Sequence, residues 1–111
     1  ITDLYLALHT ADPGEAGSQT TSEATYTSYA RVAVVRSAVG WTVSGATVEN
    51  AALVQFVTCT GGSNTITHVS IGTVSSGAGQ ILVSGALSSS LSVSTGIQPQ
   101  FSAGALVFTL D

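Results

Sequence analysis

Short segments rich in β-branched residues recur along the whole chain, and clusters of Gly, Ser, Asn or Pro separate them. In residues 4–9, leucines alternate with Tyr5, Ala7 and His9, a period of two that predicts a strand with one face turned inward. Further strand segments are predicted at residues 30–39, 41–43, 47–49, 52–60, 65–72, 80–84, 87–94, 97–101 and 105–110. We therefore predict an all-β, two-sheet sandwich, jelly-roll-like, with about eight strands.

The turn residues predict how neighbouring strands connect. Ser44-Gly45 predicts a hairpin between residues 41–43 and 47–49, and residues 61–64 predict a second hairpin between 52–60 and 65–72. Residues 10–28 contain Asp12-Pro13-Gly14-Glu15 and a run of Ser and Thr. Their apolar residues follow neither the period of two of a strand nor the period of 3.6 of a helix, so they form no apolar face that could be buried. This stretch is predicted to be a long loop that reaches a neighbouring molecule.

At 111 residues the chain has the length of one domain, so we expect a single β-sandwich over residues 1–111. Cys59 is the one cysteine, which excludes an internal disulfide, and the fold must rest on packing and hydrogen bonds. The predicted core anchors are the large aromatic side chains Trp41, Phe56, Phe101 and Phe108.

The composition excludes several classes of partner. Arg31 and Arg36 are the only basic residues and the formal net charge is −4, so the chain cannot neutralise a row of phosphates or an anionic membrane surface. Hydrophobic residues make up 44% and charged residues 7% of the chain, yet no apolar run reaches the ~18 residues of a membrane-spanning helix. Such a composition favours association with other proteins.

No arrangement of residues in the sequence points to catalysis or metal binding. His9 and His68 lie on different predicted strands, without the spacing of a metal site. Cys59 and His68 flank the second predicted turn, but a cysteine on a strand is usually a small buried hydrophobic residue. The acidic residues at 12 and 15 lack the alternation of a calcium loop. We expect no enzyme activity, no cofactor, no metal and no small-molecule substrate.

The few charged residues are the candidates for contact with other subunits. Arg31 and Arg36 form either an internal ion pair with Asp12, Glu15 or Glu23, or an ion pair between subunits. The tyrosines at 5, 26 and 29 are candidates for exposed rings that stack on a sugar. The predicted interface residues are Asp12, Glu15, Glu23, Tyr26, Tyr29, Arg31 and Arg36.

The chain also resembles a group of small virion proteins of tailed bacteriophages. The matching segments are residues 4–14, 29–32, 49–52, 67–72, 84–87 and 101–106, together with Trp41 and Phe56. Members of that group are described both as jelly-roll decoration, or cement, proteins of the capsid and as tail-fibre proteins. Members commonly begin with an additional segment before the Leu-rich strand, so we expect an N-terminal arm that is missing before residue 1.

The resemblance implies a non-enzymatic structural protein with no catalytic residues to transfer. We expect a capsid decoration protein on the outer surface of the phage head, bound to the major capsid protein and to copies of itself as a dimer or trimer. Many weak contacts repeated over a shell give a large total affinity, which suits a small clamp of this kind. The alternative is a structural or receptor-contact protein of the tail fibre or tail tip.

Overall fold

The computed structural model describes residues 3–14, 17–35 and 40–109 of the chain. These ranges contain no helix, and hence none that could cross a membrane. They form nine strands: β1 (Asp3–His9), β2 (Val32–Val35), β3 (Trp41–Ser44), β4 (Thr47–Asn50), β5 (Val54–Gln55), β6 (Ser63–Gly72), β7 (Ile81–Ser94), β8 (Gln100–Phe101) and β9 (Val107–Thr109). The predicted all-β class is confirmed.

The strands form three antiparallel sheets around one core. One sheet has the order β2-β1-β6-β7, the second has the order β3-β4-β9, and β5 pairs with β8. Apolar side chains from all three sheets belong to one buried cluster, which makes the fold sandwich-like. The aromatic residues of this cluster include Trp41, Phe56, Phe101 and Phe108.

The first predicted hairpin is confirmed. Ser44 pairs with Thr47, so Gly45 and Ala46 form a two-residue loop between β3 and β4. Gly45 has a φ of +60°, a conformation that costs glycine little, at the first loop position. Two-residue loops with a positive φ at the first position are favoured in hairpins, because their backbone twist matches the twist of the two paired strands.

The second predicted hairpin is wrong, because residues 52–60 and 65–72 do not pair. β6 pairs with β1 and β7 instead. Residues 54–59 run beside residues 96–101, where Phe56 N donates to Pro99 O and Cys59 N donates to Ile97 O, both at 2.9 Å. Residues 61 and 62 thus belong to a connection between different sheets, and Ser63 and Asn64 begin β6. The long-range pairing of residues 54–59 leaves no local signal in the sequence.

β7 is one strand of 14 residues where the sequence predicts two strands with a break near Gly85. Gly85 is not a turn: a Cβ placed there would lie 3.3 Å from Cδ1 of Phe108, so the glycine lets the ring of β9 approach the sheet. A large irregular bulge follows, in which four residues of β7, 87–90, lie opposite Thr67 alone. The bulge changes which residues of β6 face the core: Ile66 before it, Val69 after it.

The second half of β1, residues 6–9, is buried on both faces, although its sequence predicts one buried face. Leu6 and Leu8 face the core, and Ala7 and His9 on the opposite face are also 0% exposed. The cover comes from the long loop, because Ala24 N donates to Leu8 O at 2.8 Å and a bridge joins His9 to Glu23. The described part of the loop therefore packs against its own sheet instead of projecting from it.

Candidate functional site: a charge-free interaction surface

All the charged residues except the terminal Asp111 lie between residues 3 and 49 of the chain. Residues 51–110 contain no Asp, Glu, Lys or Arg at all. This stretch supplies β5 to β9, and so β6 and the outer strand β7 of the four-stranded sheet together with β5, β8 and β9 of the other two sheets. Our sequence prediction used the number of charges and did not consider their positions along the chain. A long stretch without charges is the sequence signal of a surface that can contact an uncharged partner.

The side of β7 that faces away from β6, here called the β7 edge, is the most extended open feature of this half. In the described chain, β7 pairs with β6 only. No described hydrogen bond outside that pairing uses a backbone group of residues 81–93. A strand edge of this kind presents a row of donors and acceptors to any strand laid beside it.

An apolar cleft of about 230 Å³ lies between β7 and β9. Small residues shape it, because Gly85, Ala86 and Ala105 leave space beside Leu87 and Val107. The side chain of Val107 is 51% exposed at this cleft, and Leu82 of β7 is also 51% exposed. The cleft contains no ionisable side chain, so it suits an apolar contact and offers no group for acid, base or nucleophilic chemistry.

Three of the predicted interface residues form a network inside the protein. Nε and Nη2 of Arg31 donate to the two carboxylate oxygens of Glu23 at 2.7 and 3.0 Å, and the Tyr29 hydroxyl donates to the same carboxylate at 2.7 Å. Arg31 also donates to the carbonyl oxygens of Val74 and Gly77. The Arg31 side chain is 3% exposed, so the ion pair with Glu23 that the sequence left open as internal or intersubunit is internal.

The remaining predicted interface residues differ in their placement. Asp12 is exposed, and its Oδ1 accepts a hydrogen bond from Gly14 N in a tight turn. Tyr26 is 4% exposed and lies in the core, where its hydroxyl donates to Val57 O and burial raises its pKa to about 12. Glu15 and Arg36 lie outside the described residues.

A histidine and a serine that the sequence did not connect meet under the long loop. Nε2 of His9 lies 2.7 Å from Oγ of Ser70, and its Nδ1 lies 2.8 Å from Thr21 O. Because a carbonyl only accepts, Nδ1 carries the proton, and Nε2 accepts from the serine hydroxyl. Burial lowers the pKa of His9, although the hydrogen bond to Thr21 opposes this. Both residues are 0% exposed, so this pair is closed to a substrate and holds the loop on the sheet.

Gln19 fastens the same loop to the connection between β6 and β7. Its side chain donates to Val74 O and accepts from Val74 N, both at 3.1 Å, much as a neighbouring strand would. Its backbone N donates to Ala78 O at 2.7 Å. Gly72 lies directly under this side chain, which would overlap a Cβ at that position. Gln19 is 0% exposed, so its side-chain amide has a structural role: it holds the long loop against the connection between β6 and β7.

The structure does not place Cys59 and His68 across a hairpin. Cys59 is 1% exposed in the connection before β6, and its Sγ lies 3.1 Å from Gly61 O. His68 is on β6, where its Nδ1 lies 2.8 Å from the Thr67 hydroxyl. Over the described ranges, no three His, Cys, Asp or Glu side chains come together as a metal site requires.

The family of the chain follows from a comparison with known proteins. The model of the family described as podophage GP4 fiber I protein gp80 matches residues 1–109. The chain belongs to this family. No curated protein matches the sequence. As a member of the gp80 family, the chain is a bacteriophage structural protein, and the family's description favours the tail-fibre alternative over the decoration of a capsid.

Proposed function

We propose that this gp80-family protein is a structural component of a phage tail fibre, and that it acts through contacts with neighbouring copies and other virion proteins. The match over residues 1–109 to a family described by its fibre protein is the observation that carries the proposal. The fibre role is preferred to capsid decoration, the sequence expectation, because the family is described by a fibre protein.

The surface of the protein supports a role in contact. Residues 51–110 offer an uncharged face with an open strand edge and an apolar cleft. A partner that is itself uncharged would lose little solvation on meeting this face. Among the described residues, Ser70 and His9 resemble a nucleophile and its base, but both are buried beneath the loop, so this pair gives no support to an enzymatic role.

The location of the protein on the virion tests the proposal. Antibodies raised against the purified chain should label the tail fibres in negative-stain images of intact particles, and quantitative mass spectrometry should find few copies per virion. The matched control is an antibody against the major capsid protein, which should label the head. Label on the head together with hundreds of copies would refute the fibre assignment in favour of decoration.

A further inference from the structure

We propose that the β7 edge binds the β7 edge of a second copy, so that two four-stranded sheets continue into one another across a twofold axis. The proposal rests on the structural role above and names the surface that carries it. The two β7 strands would run antiparallel, as every described strand pair within the protein does.

The backbone of β7 is the first reason. Its 14 residues make it the longest described strand, and its outward donors and acceptors have no partner among the described hydrogen bonds from Ile81 to Val93. Exposed strand edges bind extended segments through main-chain hydrogen bonds, which is a recurrent mode of protein recognition. The bulge at residues 87–90 divides the edge, so the straight stretch of residues 81–86 is the main pairing segment.

The lack of protection is the second reason. Monomeric proteins blunt open edges with lysine, proline, inward charges, β-bulges or very short strands. β7 has a bulge at residues 87–90, but its straight stretch of residues 81–86 contains no lysine, proline or charge, and no residue from Gly72 to Gln98 is charged. The other outer strands are short: β2 and β3 have four residues each, β9 has three, and β5 and β8 have two each. Residues 81–86 of β7 are therefore a longer unblunted edge than any other described outer strand offers.

The charge pattern identifies the occupant as a second copy. An uncharged edge gives no attraction to a basic or acidic partner, but two copies of it meet without repulsion and without burying a charge. An identical partner also satisfies the geometry, because a twofold axis brings the same patch of both subunits together. Leu82 and Val107 are each 51% exposed beside this edge. In the dimer their apolar surface would be removed from water, which favours association.

Sedimentation velocity on the full chain, with variants on and off the β7 edge, tests this inference. The wild-type chain should sediment as a dimer. Leu82→Lys and Val107→Lys each place a charge beside the edge and should raise the dimer dissociation constant more than tenfold. Val43→Lys is the matched control: Val43 is 65% exposed on β3, which lies at the opposite side of its three-stranded sheet from β9 and Val107, and its variant should stay dimeric. Circular dichroism must show the same β-sheet spectrum for all three variants.

Amide hydrogen exchange provides a readout that does not depend on variants. On dilution from dimer to monomer, amides of residues 81–86 should lose protection while those of β4 keep it. A wild-type chain that is monomeric at about 1 mM, that forms trimers, or that keeps its dimer in both edge variants would overturn the inference. Such results leave the location on the virion untouched, whereas antibody label on the head with an intact β7 dimer would overturn the fibre assignment alone.

Discussion

Removing the amide of Asn50 tests how the protein stabilises a turn that no strand ladder supports. Asn50 is 1% exposed at the end of β4. Its Nδ2 lies 2.9 Å from both Ala52 O and Ser102 O and 3.3 Å from Phe101 O. Its Oδ1 accepts from Leu106 N at 3.0 Å. One side chain thus joins β4 to the chain on both sides of the turn before β9.

The expected cost of Asn50→Ala follows from these bonds. A buried N–H left without an acceptor costs about 1–3 kcal/mol, and the Leu106 N–H lies in the core. The carbonyls of Ala52 and Ser102 belong to exposed residues and can turn to water, so their loss adds less. We expect a total loss of about 2–4 kcal/mol in the free energy of unfolding, or a fall of about 8–16 °C in Tm.

Urea denaturation followed by circular dichroism measures this loss as a shift of the midpoint at constant slope. Asn64→Ala is the control, because Asn64 also accepts from two backbone amides, of Thr25 and Tyr26, but lies at the half-exposed surface. It should lose about 1 kcal/mol. An Asn50→Ala variant no less stable than Asn64→Ala would refute the reasoning that burial makes the Asn50 amide decisive.

Two further variants test the cover over β1 and the contact between the sheets. Burial lowers the pKa of His9, so its contribution to stability is fully present above pH ~6.5 and is lost as the pH falls through the lowered value. His9→Gln should flatten the decline of Tm with falling pH in this range, and an unchanged slope would show that His9 is not the group responsible. Gly85→Val places side-chain atoms against the Phe108 ring and should cost about 1–3 kcal/mol by the same urea assay, whereas equal stability would mean that the ring moves aside freely.

Local patterns in the sequence predicted the parts of the fold that depend on neighbouring residues. The alternation of leucines with other residues over positions 4–9 predicts which face of β1 meets the core, and Leu6 and Leu8 are both 0% exposed there. The two-residue loop at Gly45 defines the first hairpin because its geometry is set within the turn. Both signals act over a few residues, so they survive any tertiary arrangement.

The predictions that failed depended on distant residues. Gly85 has the local signature of a turn, but its role is to admit a ring from β9. The residues at 61–64 have the local signature of a hairpin, yet β5 pairs with β8, more than forty positions away. His9 was predicted to face outward, because the sequence does not show that residues 17–31 fold back over it. The open edge of β7 became apparent only when its partners were known.

The inner position of β1 has a consequence for how the protein is made. β1 is the first described strand, but one of its two ladders is with β6, which ends at Gly72. During synthesis it must wait for most of the other strands before its sheet is complete, and distant pairings of this kind slow folding. Meanwhile, nascent chains on neighbouring ribosomes of one mRNA would expose unpaired strands to each other. Yield on expression should therefore fall steeply with temperature and crowding, well before the finished molecule reaches its own melting point.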